Sequence, residues 1–473
     1  MPEVPHASEE EKVTPAVSFR DPGGYVSVSK DRVIRTVLPD GLGNLNACLS
    51  SPVARNFVAR GALIATHTLH PGPAATRGEV QVEHPRIPFA SYPHEWPPVM
   101  LHAAAQLTLE LSSALLDEGR GLKDATPTNI LFRGPSPVFV DVLSFENRAP
   151  LDPIWLAGAQ FARTFLIPLL LHRRTGFPVH ELFLFQRDGI APAEAVRRLP
   201  RARRWFPPDL GLVTLPAYAA RLENDRLYRP RQTRDAGEAQ FILAHHFRAL
   251  RKKLDRLAPR PAASAWSNYE AACPSYSPEQ HAAKRQFVER TLREIKPSRV
   301  LDVGSNNGEF SMLAADAGAS VVSIDRDPET VAALWRSANA GGFAILPLVV
   351  DFARPTPPAG WLGREHAGFL ERAESFFDCA MLLAVIHHLM VTDQIPLAQI
   401  FDAIAALTTR WVVIEYVGPR DPLFHRLARG RDALYRWYSR PAFDECARRS
   451  FDIVNFLDIQ SSDRAIYLLR RKS

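Results

Sequence analysis

The stretch Val300-Leu301-Asp302-Val303-Gly304-Ser305-Asn306-Asn307-Gly308-Glu309 decides how the chain is read. A short apolar strand runs directly into a turn bounded by two glycines, after which Phe310, Leu313, Ala314 and Ala317 fall on one face of a helix. Such a strand–turn–helix is a nucleotide-binding element. Gly304 lets the chain turn tightly, and Gly308 lets the helix begin close to the ligand and the sheet. Ligands of folds built this way sit beyond the carboxyl ends of the strands.

Charge selects among ligands. A dinucleotide fingerprint begun at Gly304 needs glycines at 306 and 309, where this chain has Asn306 and Glu309, and a carboxylate repels a pyrophosphate. No Gly-Lys-Ser/Thr follows, so a P-loop is absent too. S-adenosylmethionine (SAM) has no phosphate and carries a cationic sulfonium and ammonium, which suits the acidic Asp302 beside the turn.

These residues resemble class I SAM-dependent methyltransferases, whose motif acidic-x-Gly-x-Gly-x-Gly is matched by Asp302, Gly304 and Gly308, with Asn306 in place of the middle glycine and Ser305 inside the turn. Asn tolerates left-handed backbone angles better than most residues. The resemblance implies that Asp325, 21 residues after Gly304, accepts from the ribose hydroxyls and that Asp351 accepts from the adenine amino group. It also implies that Leu383-Ala384-Val385-Ile386-His387-His388-Leu389 passes beneath the methionine moiety. His387 and His388 are the candidate catalytic bases; neighbours on a helix point about 100° apart, so at most one faces the pocket. Glu415 and Tyr416 are further candidates at the end of the fifth strand. The resemblance covers 297–473 and, more weakly, 266–296.

Working outward, strand-like runs at Arg299–Val303, Ser320–Ile324, Phe343–Val350, Phe377–Leu383 and Trp411–Glu415 alternate with helical patterns, which predicts a parallel α/β sheet. Phe451–Leu457 and Ala465–Leu469 read as an antiparallel hairpin closing one end of this Rossmann-like sheet. Upstream, Leu243, Phe247, Leu250, Leu254 and Leu257 mark one face of a helix, and Phe287, Val288, Leu292 and Ile295 mark another. These two helices are expected as a connector over 236–296.

Residues 21–235 read as an α+β domain behind a flexible tail of 1–20. Tyr25–Ser29 and Val33–Val37 form a hairpin about Lys30-Asp31, and helical patterns follow at Met100–Leu116 and Pro153–His172. Asp124-Ala125-Thr126-Pro127-Thr128-Asn129, followed by Ile130-Leu131-Phe132 and Val138-Phe139-Val140-Asp141, repeats the spacing of a kinase catalytic loop and its metal-binding aspartate. Leu122 stands where that loop has histidine, Val142-Leu143 follows Asp141, and neither a glycine-rich loop nor a V-A-I-K lysine precedes. A degenerate kinase-like fold, an active phosphotransferase and a chance match all stay open. The phrases Leu122-Lys123-Asp124-Ala125, Phe139-Val140-Asp141 and Leu143-Ser144-Phe145-Glu146, ahead of such a methyltransferase domain, are also similar to bacterial proteins related to host-specificity nodulation methyltransferases. That similarity spans most of the chain.

Length and composition fit this plan. The 473 residues allow two to four domains, and 46% hydrophobic with 23% charged residues exclude wholesale disorder. The formal charge of +6 rests on arginine, with 16 Lys/Arg against 6 Asp/Glu between Val196 and Arg260. Nucleic acid is therefore permitted, and an RNA methyltransferase is one alternative; a SAM-binding interaction protein without turnover is another. A small-molecule or glycan acceptor is the leading expectation. Cys48, Cys273, Cys379 and Cys446 form no C-x-x-C pair, so no metal site or disulfide framework is expected, and a reducing cytoplasm fits. The acidic start Met1-Pro2-Glu3 lacks an apolar signal region, and the apolar run Ile154–Leu171 is broken by Gln160, Arg163 and Pro168, so no membrane span is expected.

Overall fold

The computed structural model describes residues 18, 20–29, 32–69, 78–220, 232–262 and 276–472. Lys30-Asp31, Cys273 and nearly all of the expected tail lie outside them.

The first half opens with the predicted hairpin, β1 (Gly24–Val28) against β2 (Val33–Val37), with Val28 opposite Val33. β3 (His67–Thr68) and β4 (Val80–His84) complete an antiparallel sheet of order β1-β2-β4-β3. The long helix Pro98–Leu115 buries Met100, Leu101, Ala104, Leu111 and Leu115. Beyond it, β5 (Arg120–Leu122) pairs with β8 (Phe145–Asn147) and β6 (Ile130–Arg133) with β7 (Ser136–Phe139). Among the described residues, the one helix long and apolar enough to cross a membrane is Pro98–Glu118, and 67% of that window is buried inside the protein. Pro153–His172 is not a single helix. It divides into Gly158–Phe161, a widened π-turn Ala162–Leu166, and Ile167–Thr175. Pro168 supplies no backbone N–H to the preceding turn and its ring crowds that turn's carbonyl, so the helix widens just before it.

The helix Ala236–Arg256 buries the predicted stripe, Leu243, Phe247, Leu250 and Leu254. It is not a spacer, however. Phe247 packs edge-on against Trp155 with centroids 5.0 Å apart, and His102 Nε2 lies 3.1 Å from the Leu254 carbonyl, so this helix completes the core of the first half. The next helix, Pro278–Ile295, is capped reciprocally by Ser277 and Gln280 and lays Phe287, Val288 and Leu292 on the second sheet. An amphipathic stripe says that a face is covered, not by which half of the molecule. The expected connector is thus two helices belonging to two different cores.

The second sheet comprises β9 (Arg299–Val303), β10 (Ser320–Asp325), β11 (Ile345–Val349), β12 (Phe377–Leu382), β13 (Thr408–Val417), β14 (Phe451–Ile459) and β15 (Arg464–Arg471). Its order is β11-β10-β9-β12-β13-β15-β14. Five strands are parallel, while β15 runs antiparallel between β13 and β14, as the hairpin reading requires. The order reverses between β9 and β12, and a crevice opens at the carboxyl ends of strands on either side of such a switch point. One face of the sheet shares a continuous apolar core with the first half. Thr356 Oγ1 donates to Glu95 (2.6 Å), Arg372 pairs with the same buried carboxylate, and Trp335 Nε1 donates to the Pro135 carbonyl (3.0 Å).

Candidate active site

At that crevice lies a cavity of about 630 Å³, lined by Asp302, Gly304, Ser305, Asn306, Asp325, Asp351, Leu383 and His388 among others. The turn after β9 is built as its glycines require. Gly304 has φ +69°, and a Cβ there would lie 2.5 Å from Val385 Cγ2; Gly308 has φ +82°, and a Cβ would lie 2.1 Å from Leu334 Cδ1. Asn306 takes φ +46°, the left-handed conformation expected of the residue replacing the middle glycine. Gly304 N and Ser305 N donate to the Ile324 carbonyl at 2.8 and 3.1 Å, tying the turn to β10. Gly308 shapes the turn from behind and, unlike the other seven predicted cofactor residues, does not line the cavity.

Three carboxylates sit at successive strand ends. Asp302, buried, accepts from Ser311 Oγ; its pKa is pushed up to about 7 by burial first and by Asp325 second. Asp325 accepts from Asn306 N (3.0 Å) and Asp327 N (2.9 Å), and burial raises its pKa. Asp351 accepts from Ala353 N (2.9 Å) and pairs with Arg354, which also reaches Asp393. Glu309, the residue that argued against a pyrophosphate, lines the same cavity and pairs with His281 and Arg285.

The two histidines separate. His388 lines the cavity, and its pKa is pushed down to about 4 by burial, then by Arg326, Arg464 and Arg426, so its ring is neutral at neutral pH. His387 is fully buried outside the cavity lining, and neither ring nitrogen has a hydrogen-bond partner within the protein. The expectation that His387 serves as a base is therefore corrected: its ring is fully buried and does not line the cavity that His388 reaches. Ala384, with φ +57°, carries the bend that separates this segment from β12.

Glu415 and Tyr416 do not reach the cavity either. Glu415, fully buried, accepts from Lys284 Nζ (2.8 Å), Arg464 (3.1 Å) and Tyr276 Oη. Burial alone would raise its pKa, but Lys284 and Arg464 outweigh that and hold it below the ordinary value. Arg464 is also held by Asp421, at 2.6 Å. Tyr416 packs in an aromatic cluster with Tyr438 and Phe443. Tyr276, His281 and Lys284 do line the cavity, and sequence reasoning missed them. Lys284 had a signal: it occupies a position on the apolar stripe of Phe287, Val288 and Leu292, where a charge needs a buried partner.

The kinase-like loop has its polar groups turned inward. Arg35 on β2 pairs with Asp141 at 3.1 Å; Asp141 also accepts from Ser144 Oγ (2.6 Å) and Leu143 N (3.3 Å), and Asn129 Nδ2 donates to Ser144 Oγ (3.2 Å). Burial, then Asp141, raises the pKa of Asp124. Among the described residues, no three His, Cys, Asp or Glu side chains converge as metal ligands.

Residues 242–456 match a methyltransferase-domain family. The nodulation protein NoeA of Rhizobium meliloti (strain 1021) is 30% identical over 470 residues, covering 96% of this chain and 96% of that protein. Among solved structures, the N-methyltransferase NodS of Bradyrhizobium japonicum WM9 aligns at 13% identity and TM-score 0.32, covering 42% of this chain and 99% of its own. The bifunctional kinase-methyltransferase WbdD aligns at 20% identity and TM-score 0.29, covering 43% and 41%. With relatedness running along nearly its whole length, and with the glycine turn and its acidic residues facing one cavity, the chain belongs to the NoeA family and is a SAM-dependent methyltransferase.

Proposed function

We propose that the cavity holds SAM along the ends of β9, β10 and β11 and transfers its methyl to a small-molecule or glycan-type acceptor. The convergence of the Gly304 turn, Asp325 and Asp351 on one cavity carries the reading. The residues fit the cofactor: two glycines stand where a Cβ would collide, and carboxylates face the space where a cationic ligand would lie.

When bound, SAM supplies an electrophilic methyl on a sulfonium. Asp325 would accept from the ribose hydroxyls, Asp351 would orient the adenine, and Asp302 with Ser305 and Asn306 would shape the end that takes the methionine moiety. Leu383 would floor that end with apolar surface. The chain's main task is to hold the acceptor in line at near-attack distance. His388 lines the cavity with a neutral ring and would take the proton from an oxygen or nitrogen acceptor. The buried thiols of Cys48 and Cys379, without disulfides, suit a reducing cytoplasmic setting.

Incubation of the protein with methyl-labelled SAM and a bacterial extract tests the acceptor class. Label in low-molecular-weight or glycan products, resistant to ribonuclease, is expected. Label that ribonuclease releases would replace this reading with the RNA one. His388→Ala should slow labelling about a hundredfold with SAM affinity retained; an undiminished rate would remove His388 from the chemistry.

A further inference from the structure

Between Ala195 and Ala220 the chain carries five arginines and one acidic residue, Asp209. Asp209 is fully buried and clamped by Arg174, whose Nε and terminal nitrogen donate at 3.0 and 2.9 Å, so it offers no negative charge to the surface. Arg197, Arg201 and Arg203 are exposed, Arg204 is half-buried, and Arg198 is shared with Glu194.

The same segment is apolar on two sides. Leu212, Val213 and Ala217 face inward to the core. Outward stand Trp205 at 69% exposure, Tyr218 at 64%, Phe206 at 60% and Leu215 at 56%. Thr214 Oγ1 donates to the Arg204 carbonyl (2.6 Å) and holds the turn Arg201–Trp205 against the helical stretch Leu210–Ala219, which carries Leu215 and Tyr218. An outer face that needed only water would carry polar side chains here. Large exposed apolar groups rimmed by cations mark an interaction site instead.

We propose that this hairpin docks the protein on an anionic lipid surface. Trp, Tyr and Phe, with an apolar body, settle at headgroup depth, Leu enters the acyl boundary, and arginines reach lipid phosphates. A single-stranded RNA would use the aromatic rings and the charge but has no use for Leu215, Pro207 and Pro200, which offer no stacking plane.

Sedimentation of the full chain with phosphatidylcholine vesicles, with and without one third phosphatidylglycerol, tests the proposal. Binding should need the anionic lipid and weaken as salt rises. Arg201→Gln/Arg203→Gln/Arg204→Gln should lose about fivefold per arginine, and Trp205→Ser/Phe206→Ser about tenfold or more, with circular dichroism and SAM affinity unchanged. Hydrogen exchange on the wild type checks the site without variants: residues 201–219 should gain protection when anionic vesicles are added. No binding at low salt, no protection at 201–219, or undiminished binding by both folded variants would overturn the proposal. So would oligouridylate binding through these residues without vesicle binding.

Discussion

At the ends of β9, β10 and β11, Asp302, Asp325 and Asp351 face a cavity of about 630 Å³; at the ends of β6 and β7, Asp141 faces Arg35 at 3.1 Å. Both places are strand-end loops with an aspartate set at the spacing of a ligand site. They differ in where the polar atoms point. In the second half, backbone N–H groups hold Asp325 from one side and leave the carboxylate at the cavity wall. In the first half, Arg35, Ser144 and Leu143 surround Asp141, and Asn129 is engaged through Ser144. Spacing therefore identifies a backbone frame, while the partners of the side chains decide whether the frame still receives a ligand.

The largest effect should come from breaking the closed site. Asp141→Ala leaves the buried Arg35 guanidinium without its carboxylate, which should cost about 2–4 kcal/mol of stability in denaturant unfolding. SAM affinity should not change. An unaltered unfolding midpoint would mean that the ion pair does not hold β2 to the loop, and a loss of SAM affinity in the folded variant would mean that the two sites are coupled.

Asp325→Ala reverses the pattern. Removal of a charged acceptor for two ribose hydroxyls should weaken SAM binding by roughly 1.5–3 kcal/mol by calorimetry. The fold should persist with a smaller stability loss, since only the Asn306 and Asp327 backbone bonds are given up. Equal affinity in wild type and variant would place the ribose elsewhere.

A smaller, pH-dependent effect belongs to Asp302. Its folded-state pKa of about 7 lies above the ~3.9 of an unfolded aspartate, so the folded protein holds that proton longer. Its stabilising contribution is complete below about pH 4 and is lost as pH rises through about 7. Asp302→Asn stays neutral throughout, so without SAM it should melt higher than wild type at pH 8, the gap closing towards pH 5. A gap independent of pH would show that burial does not hold Asp302 protonated.

Much of the second half was legible because its signals are local. Continuous apolar runs gave five parallel strands, two glycines and an asparagine at positive φ gave the turn, and a carboxylate closing each of β10 and β11 gave Asp325 and Asp351. What escaped depends on partners far away in sequence. Lys284 and Arg464 meet over Glu415 across sequence separations of 131 and 49, and that meeting turns a strand-end glutamate from a candidate base into a buried counter-ion. Arg35 likewise meets Asp141 only across 106 positions of sequence, so nothing local marked that carboxylate as already paired. His387 was indistinguishable from His388 until the direction of the bend at Ala384 was known. The stripe on Ala236–Arg256 was visible, but not that it covers the helix Pro98–Leu115.

Thermal unfolding of the wild type with S-adenosylhomocysteine, the demethylated product, and separately with magnesium and ATP, addresses the contrast most directly. A ligand at a hundredfold excess over its Kd adds about 2.7 kcal/mol of stability, enough to raise the melting temperature by a few degrees. The product should give that rise and magnesium-ATP should give none. A rise with magnesium-ATP that Asp141→Ala abolishes, together with no rise from the product at millimolar concentration, would contradict the account in both halves of the molecule.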